Sequence, residues 1–215
     1  RDMAKVLISL PDELLERPLP RVEKLKVGPY TSGEDVDYGP LITGAAKERV
    51  KGLISSGVDQ GAKALADGRD FSLQGYEDGF FVGPTLFDNV TPDMDIYKEE
   101  IFGPVLSTVR ASSYEDALKL TMENEYGNGT SIFTADGDTA RDFVNRVNVG
   151  MVGVNVPIPV PLSYFTFGGW KKSAFGDLNQ YGPDAFRFYT KTKTVTARWF
   201  SGIKEGGEFH FKAMD

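Results

Sequence analysis

Residues 105–156, VLSTVRASSYEDALKLTMENEYGNGTSIFTADGDTARDFVNRVNVGMVGVNV, alternate between strand-like and helix-like patterning, and this decides the fold class. Residues 105–109 are an apolar run of strand length. Ser112 with Glu115 forms a capping-box pattern, and Tyr114, Ala117, Leu118 and Met122 then repeat at helical spacing. Gly127 stops that helix. Residues 130–134 form a second short strand. Ala140, Phe143, Val144 and Val147 mark another amphipathic helix, ended by Gly150, and residues 151–156 give a third strand. Strand, helix, strand, helix, strand with short connectors predicts an α/β domain with parallel pairing through crossover helices. Sheets of this kind place ligands beyond the carboxyl ends of their strands, which directs attention to the residues after Val156.

Working towards the N-terminus, residues 80–87 read as a strand interrupted by Gly83 and Pro84. Residues 44–56 read as a helix with Ala46, Val50, Leu53 and Ile54 on one face and Thr43 as its N-cap. Residues 28–40 form an acidic loop, residues 12–26 a helical segment broken by Pro18 and Pro20, and residues 6–10 a short strand. Towards the C-terminus, residues 192–199 (TKTVTARW) alternate as a strand that leaves the body of the domain, and a glycine-rich tail follows Phe200.

Composition limits the chemistry. The 215 residues suit one large domain or one domain with an appendage, and 40% hydrophobic with 26% charged residues is globular. A net charge of −7 disfavours a nucleic-acid backbone binder. Cysteine is absent and histidine occurs once, at His210, so no disulfide framework, cysteine-rich metal site, thiol nucleophile or Ser-His-Asp triad can be assembled. The longest near-apolar run, residues 151–162, holds three prolines and is too short for a membrane span. No N-terminal apolar signal segment is visible, and residue 1 is Arg, which reads as a processed, tagged or truncated chain.

Nucleotide-loop patterns fail. Gly127-Asn128-Gly129 lacks the third glycine of G-x-G-x-x-G, and residues 167–173 lack phosphate-loop spacing. Two other segments carry more. Residues 97–104 (YKEEIFGP) put a carboxylate and an aromatic ring just before the strand at 105. They read either as a charged turn with Phe102 in the core, or as a cleft rim where an acid accepts both hydroxyls of a ribose and a ring packs on the sugar. In residues 154–169, prolines at 157, 159 and 161 remove donors from one edge. The chain there cannot be a paired central strand, and Tyr164, Phe165 and Phe167 give either a groove an aromatic wall or the core a rigid cover.

KEEIFGPV (98–105), YGNG (126–129), IFT (132–134), VGVNVPIPVP (152–161), FGGWK (167–171) and GDLNQYG (176–182), in that order, resemble the aldehyde dehydrogenase superfamily. The proline run and the last segment are similar to its CoA-acylating methylmalonate-semialdehyde (malonate-semialdehyde) branch. The resemblance implies a parallel-stranded, three-layer α/β catalytic domain, partial here, over residues 1–190. Residues 191–215 would supply an oligomerisation strand and tail. It implies a thiolate attacking an aldehyde, hydride transfer to NAD, and interception of the thioester by CoA with loss of carbon dioxide. Glu100 and Phe102 match the positions that hold the nicotinamide ribose, and Phe167 and Phe165 match the aromatic wall of the substrate entrance. A homo-oligomer in the cytoplasm, or in the mitochondrial matrix of a eukaryote, follows from the same resemblance, with a small-molecule semialdehyde as substrate and no membrane, metal or nucleic-acid partner.

The family's cysteine has no counterpart. Arg1-Asp2-Met3-Ala4 stands near its R-C-M-A context, with Asp2 in the place of the nucleophile, and an aspartate cannot form a thioester. The expectation is a C-terminal portion of such an enzyme, inactive alone. The alternatives are a stand-alone, non-catalytic interaction module of the same fold, or a half completed by a separate chain.

Overall fold

The computed structural model describes residues 6–8, 15, 17–33 and 35–199. Arg1, Asp2, His210 and the tail after Phe200 therefore lie outside the described residues. The main sheet has four strands: β1 (Val6–Ile8), β2 (Lys63–Ala66), β3 (Thr85–Asp88) and β4 (Val105–Val109), in the order β1-β4-β3-β2. β4 runs parallel to both β1 and β3, whereas β2 adds antiparallel to β3 with a register shift between Ala64 and Ala66.

All four residues of β3 are buried, and Leu86 and Phe87, on opposite faces, are both fully so. A strand covered on both faces belongs to a layered α/β arrangement. One cover is α1 (Leu19–Val22) together with the segments around it, and the best defined is α2 (Gly44–Asp59). Thr43 caps α2 by accepting the Ala46 N–H at 3.1 Å, and Val50, Ile54 and Gly57 face inward at offsets of four and seven. A Cβ at Gly57 would come within 2.7 Å of Ile96, so glycine there lets α2 approach α3 (Asp95–Lys98) closely. Val50, Ile54, Val82, Phe87, Ile96 and Ile101 form the core of this half.

The second half contains α4 (Tyr114–Glu123), β5 (Tyr126–Gly127), β6 (Gly129–Ile132), α5 (Gly137–Arg146), β7 (Met151–Val154), β8 (Trp170–Lys171) and α6 (Asp184–Tyr189). β6 and β7 pair in parallel across α5, and Leu118, Phe143, Val147 and Val149 form the core between α4, α5 and these strands. Tyr114 Oη donates to Asp142 Oδ2 at 2.7 Å, and burial, reinforced by that carboxylate, pushes the phenol up to about 12.

Several expectations are corrected here. The α4 cap is Ser113, which accepts the Asp116 N–H, while Ser112 instead bonds the Asp116 carboxylate. β4 does not pair with β6: its ladder neighbours are β1 and β3, and β6 with β7 forms a separate two-stranded ladder. Among the described residues of 12–26, Leu15 and a single turn at Leu19–Val22 are helical, and the turn starts directly after Pro18, which stands at its N-cap, with Pro20 in its first turn. Residues 192–199 are exposed and pair with no strand among the described residues, since a two-fold alternating segment has no ladder without a neighbour. β2, β5 and β8 carry no sequence signal strong enough to predict them.

Asp88 ends β3 almost fully buried, and the Arg110 guanidinium grips both of its oxygens at 2.9 and 2.8 Å. Its hydrogen bonds to Arg110 hold the carboxyl below the usual aspartate range against the opposing effect of burial. A depressed carboxyl stabilises the fold above its unfolded-state value near about pH 4, and loses that contribution as pH falls through the folded value. Asp88→Asn is therefore expected to cost about 1–3 kcal/mol at neutral pH and to flatten the acid limb of a stability–pH profile. Urea unfolding between pH 7 and 3 measures both; an unchanged acid limb would refute the assignment.

Candidate active-site mouth

The turn at residues 97–104 is held from both sides. Asp95, at the start of α3, donates its N–H to Gln60 Oε1 at 2.8 Å and accepts Ser56 Oγ at 2.6 Å, which ties α3 to α2. Side-chain hydrogen bonds from Ser56 and then Gln60 keep the Asp95 carboxyl below its ordinary range. Tyr97 Oη reaches the Leu120 carbonyl of α4 at 3.3 Å. Arg49 of α2 donates to the Glu100 carbonyl at 2.6 Å and the Ile101 carbonyl at 2.9 Å. Ile101 is buried, and a Cβ at Gly103 would lie 2.8 Å from Val50.

Glu100 is half-buried with its Oε1 shielded from solvent. Phe102 has φ 56° and is 64% exposed. An aromatic residue in the left-handed region is backbone strain, and an exposed ring held there is not a core residue. Of the two readings of this turn, the core reading of Phe102 is thus excluded.

The aromatic stretch is built differently. β7 ends at Val154, and the next residue, Asn155, with φ 57°, turns the chain sharply. The Asn155 side chain accepts the Thr134 N–H at 2.9 Å and donates to the Thr134 carbonyl at 3.0 Å, locking the carboxyl ends of β6 and β7 together. Residues 155–158 and 160 are exposed, as expected for a segment that prolines keep out of a sheet, while Pro159 packs over Gly129 and Gly153. Phe165 is 65% exposed, and the Phe167 ring meets Tyr181 edge-on at 5.9 Å. Beyond Phe167, a Cβ at Gly150 would overlap the Gly168 carbonyl oxygen, and one at Gly168 would overlap the Asn179 amide. β8 then pairs with β5, and Lys171, at φ 53°, donates its ammonium to the Met122 and Asn124 carbonyls at 2.8 and 2.9 Å. Burial pulls that ammonium below the ordinary lysine value.

Five of the six motifs thus meet in one cluster: YGNG pairs with FGGWK, FGGWK packs against GDLNQYG, and IFT is locked to the VNV that precedes the prolines. Glu100 and Phe102 belong to the other half, held by α2, α3 and β4. The two halves share the C-terminal turn of α4. Tyr97 binds the Leu120 carbonyl, and Lys171 binds those of Met122 and Asn124, anchors that span about 6 Å of helix axis. Arg49, Asn155 and Lys171 were missed from the sequence, because each acts on main-chain groups of a remote segment.

Clefts of about 350 and 180 Å³ lie along α4, the larger lined by Arg110, Ser112, Asp116 and Lys119, and neither is lined by Glu100, Phe102, Phe165 or Phe167. Among the described residues no group of three His, Cys, Asp or Glu side chains is placed to hold a metal ion, and no helix is long and apolar enough to cross a membrane.

A model of the aldehyde dehydrogenase family matches residues 4–195. The chain belongs to the aldehyde dehydrogenase family. It is 56% identical over 204 residues to the malonate-semialdehyde dehydrogenase of Pseudomonas aeruginosa, covering 94% of this chain and 41% of that one. It is 52% identical over 180 residues to the acylating, mitochondrial methylmalonate-semialdehyde dehydrogenase of Arabidopsis thaliana, covering 83% of this chain and 30% of the relative. A crystal structure from Sinorhizobium meliloti 1021, assigned as a methylmalonate-semialdehyde dehydrogenase and complexed with NAD, superposes with a TM-score of 0.89 at 60% identity. The match covers 94% of this chain and 42% of that one. This aldehyde dehydrogenase chain therefore spans about two fifths or less of the length of these relatives, and its fold is that of the family's catalytic domain.

Proposed function

We propose that this chain contributes the C-terminal catalytic-domain portion of an NAD-dependent, CoA-acylating malonate- or methylmalonate-semialdehyde dehydrogenase. In this reading Glu100 accepts the hydroxyls of the nicotinamide ribose and Phe102 packs on the sugar, while Phe167 and Phe165 wall the aldehyde entrance. NAD, when bound, would accept the hydride, and CoA would take the acyl group. The observation that carries the reading is the common anchoring of the acid turn and the aromatic loop on the last turn of α4. The donor set suits the sugar: a carboxylate with a shielded oxygen beside an exposed, rigidly held ring.

The thiol has no source in this sequence, which contains no cysteine. The chain alone is accordingly expected to give no NADH from NAD, CoA and malonate semialdehyde. Joining the Pseudomonas aeruginosa relative, through the family's cysteine, to this chain from Met3 onward would replace Asp2 by the nucleophile. The joined enzyme is expected to produce NADH and acetyl-CoA together, in a CoA-dependent manner. A folded joined enzyme inert towards the semialdehyde would favour a non-catalytic module instead. The names of the relatives support a semialdehyde substrate and, for a eukaryotic source, a mitochondrial setting; for a bacterial source the cytoplasm is proposed. Residues 192–199, exposed and unpaired with any described strand, are proposed as the strand that extends a sheet of a second copy in a homo-oligomer.

A further inference from the structure

Resting on that reading of the site, we infer that Arg49 is a positioning residue for the cofactor-side acid, acting through the backbone of Glu100 and Ile101. Successive carbonyls of an extended chain point to opposite sides, so one side chain cannot bind two in a row. Here the Glu100 and Ile101 carbonyls converge on a single guanidinium, one on each terminal nitrogen, at 2.6 and 2.9 Å. The torsions of Ile101, which lies between the two carbonyls, bring them to one side, and the strained Phe102 at φ 56° follows directly.

The planar fork of arginine matches two neighbouring acceptors, which a lysine ammonium does not do with the same rigidity. Charge-assisted bonds of this kind are roughly twice as strong as neutral ones and offset the cost of the strained Phe102 backbone. Arg49 itself is anchored on α2, one residue before the fully buried Val50, so the turn inherits the position of a rigid helix. The Arg49–Glu99 pair, at 3.9 Å and largely exposed, adds little. Arg49 thereby sets where the Glu100 carboxylate stands, 51 residues away in sequence.

Hydrogen–deuterium exchange of this chain tests the clamp without any cofactor. Arg49→Met is expected to accelerate exchange in residues 97–105 by about tenfold or more, with other segments and the melting temperature little changed. Arg49→Lys should fall between the two. Unchanged exchange in that segment, or equal acceleration everywhere, would overturn the inference. In the joined enzyme, Arg49→Met is expected to raise KM for NAD about tenfold while KM for the semialdehyde stays within about twofold, a split that general destabilisation does not produce. An unchanged KM for NAD beside a damaging Glu100→Gln would also overturn it. A silent Glu100→Gln would overturn the underlying reading of the site, whatever Arg49 does.

Discussion

Gly150→Ala is expected to lower the unfolding free energy by about 2–4 kcal/mol, more than any other exposed or half-buried substitution considered for this chain. The added Cβ would overlap the Gly168 carbonyl oxygen and lie 3.0 Å from the Gly169 Cα, so backbone, not a flexible side-chain end, has to move. The displaced segment runs from Phe167 through β8 to Lys171. Its movement would break the edge-on contact of Phe167 with Tyr181 and pull the Lys171 ammonium from the end of α4. Loss of stability and loss of the aromatic wall therefore come together. Gly52→Ala provides the opposite sign: it lies within α2 with no atom within 4 Å of an added Cβ, and replacing a helical glycine by alanine stabilises by about 0.5–1 kcal/mol. Urea unfolding of the two variants beside the parent separates a steric cost from a general effect of glycine removal. Equal stabilities for Gly150→Ala and the parent would mean that the two backbones do not approach as described.

The region between Val105 and Val154 was legible because its helices bury one stripe each and its strands are short apolar runs, so local pattern and global burial agree. Cap choice was not: Ser112 and Ser113 are adjacent, and only the extended φ and ψ of Ser113 decide which of them faces the helix. Strand partners were not legible either. β4 lies between β1 and β3, a choice made by long-range burial of Leu86, Phe87 and Val109 that short connectors do not encode. β2 is Lys-Ala-Leu-Ala, without β-branched residues, and forms at the sheet edge because β3 offers it a partner.

Glu100, Phe102, Phe165 and Phe167 are proposed from motifs, and neighbouring groups that position the main chain around Glu100 and Phe167 are visible in the structure. The supports themselves escaped notice. Arg49, Asn155 and Lys171 bind main-chain carbonyls or N–H groups of remote segments, and such groups are the same whatever residue bears them. The alternation of residues 192–199 reads as strand-like, but a strand needs a neighbour, and among the described residues this segment enters no ladder.

The exposed apolar residues concentrate after the β6–β7 ladder. Leu162, Phe175, Phe186, Tyr189, Val195 and Trp199 are each at least 70% exposed. Where such side chains gather they make an expected contact surface. It lies C-terminal to the same lock, Asn155 on Thr134, that aims the proline segment, so the site loop and the contact surface hang from one strand end.

The central claim is that the acid turn and the aromatic loop serve one reaction, with Glu100 on the cofactor side. Glu100→Gln keeps the size and one acceptor of the side chain but removes its charge. Its backbone carbonyl, held by Arg49, is untouched. Hydrogen bonds from ribose hydroxyls to a carboxylate are worth more than those to an amide, so the expected loss in kcat/KM for NAD is roughly 10–100-fold in the joined enzyme. Phe167→Ala should act on the other side, raising KM for the semialdehyde with KM for NAD nearly unchanged. The most direct measurement is the kcat/KM for NAD of Glu100→Gln at saturating semialdehyde and CoA: a fall of about tenfold or more is the predicted result, and parent-like NAD kinetics would contradict the account.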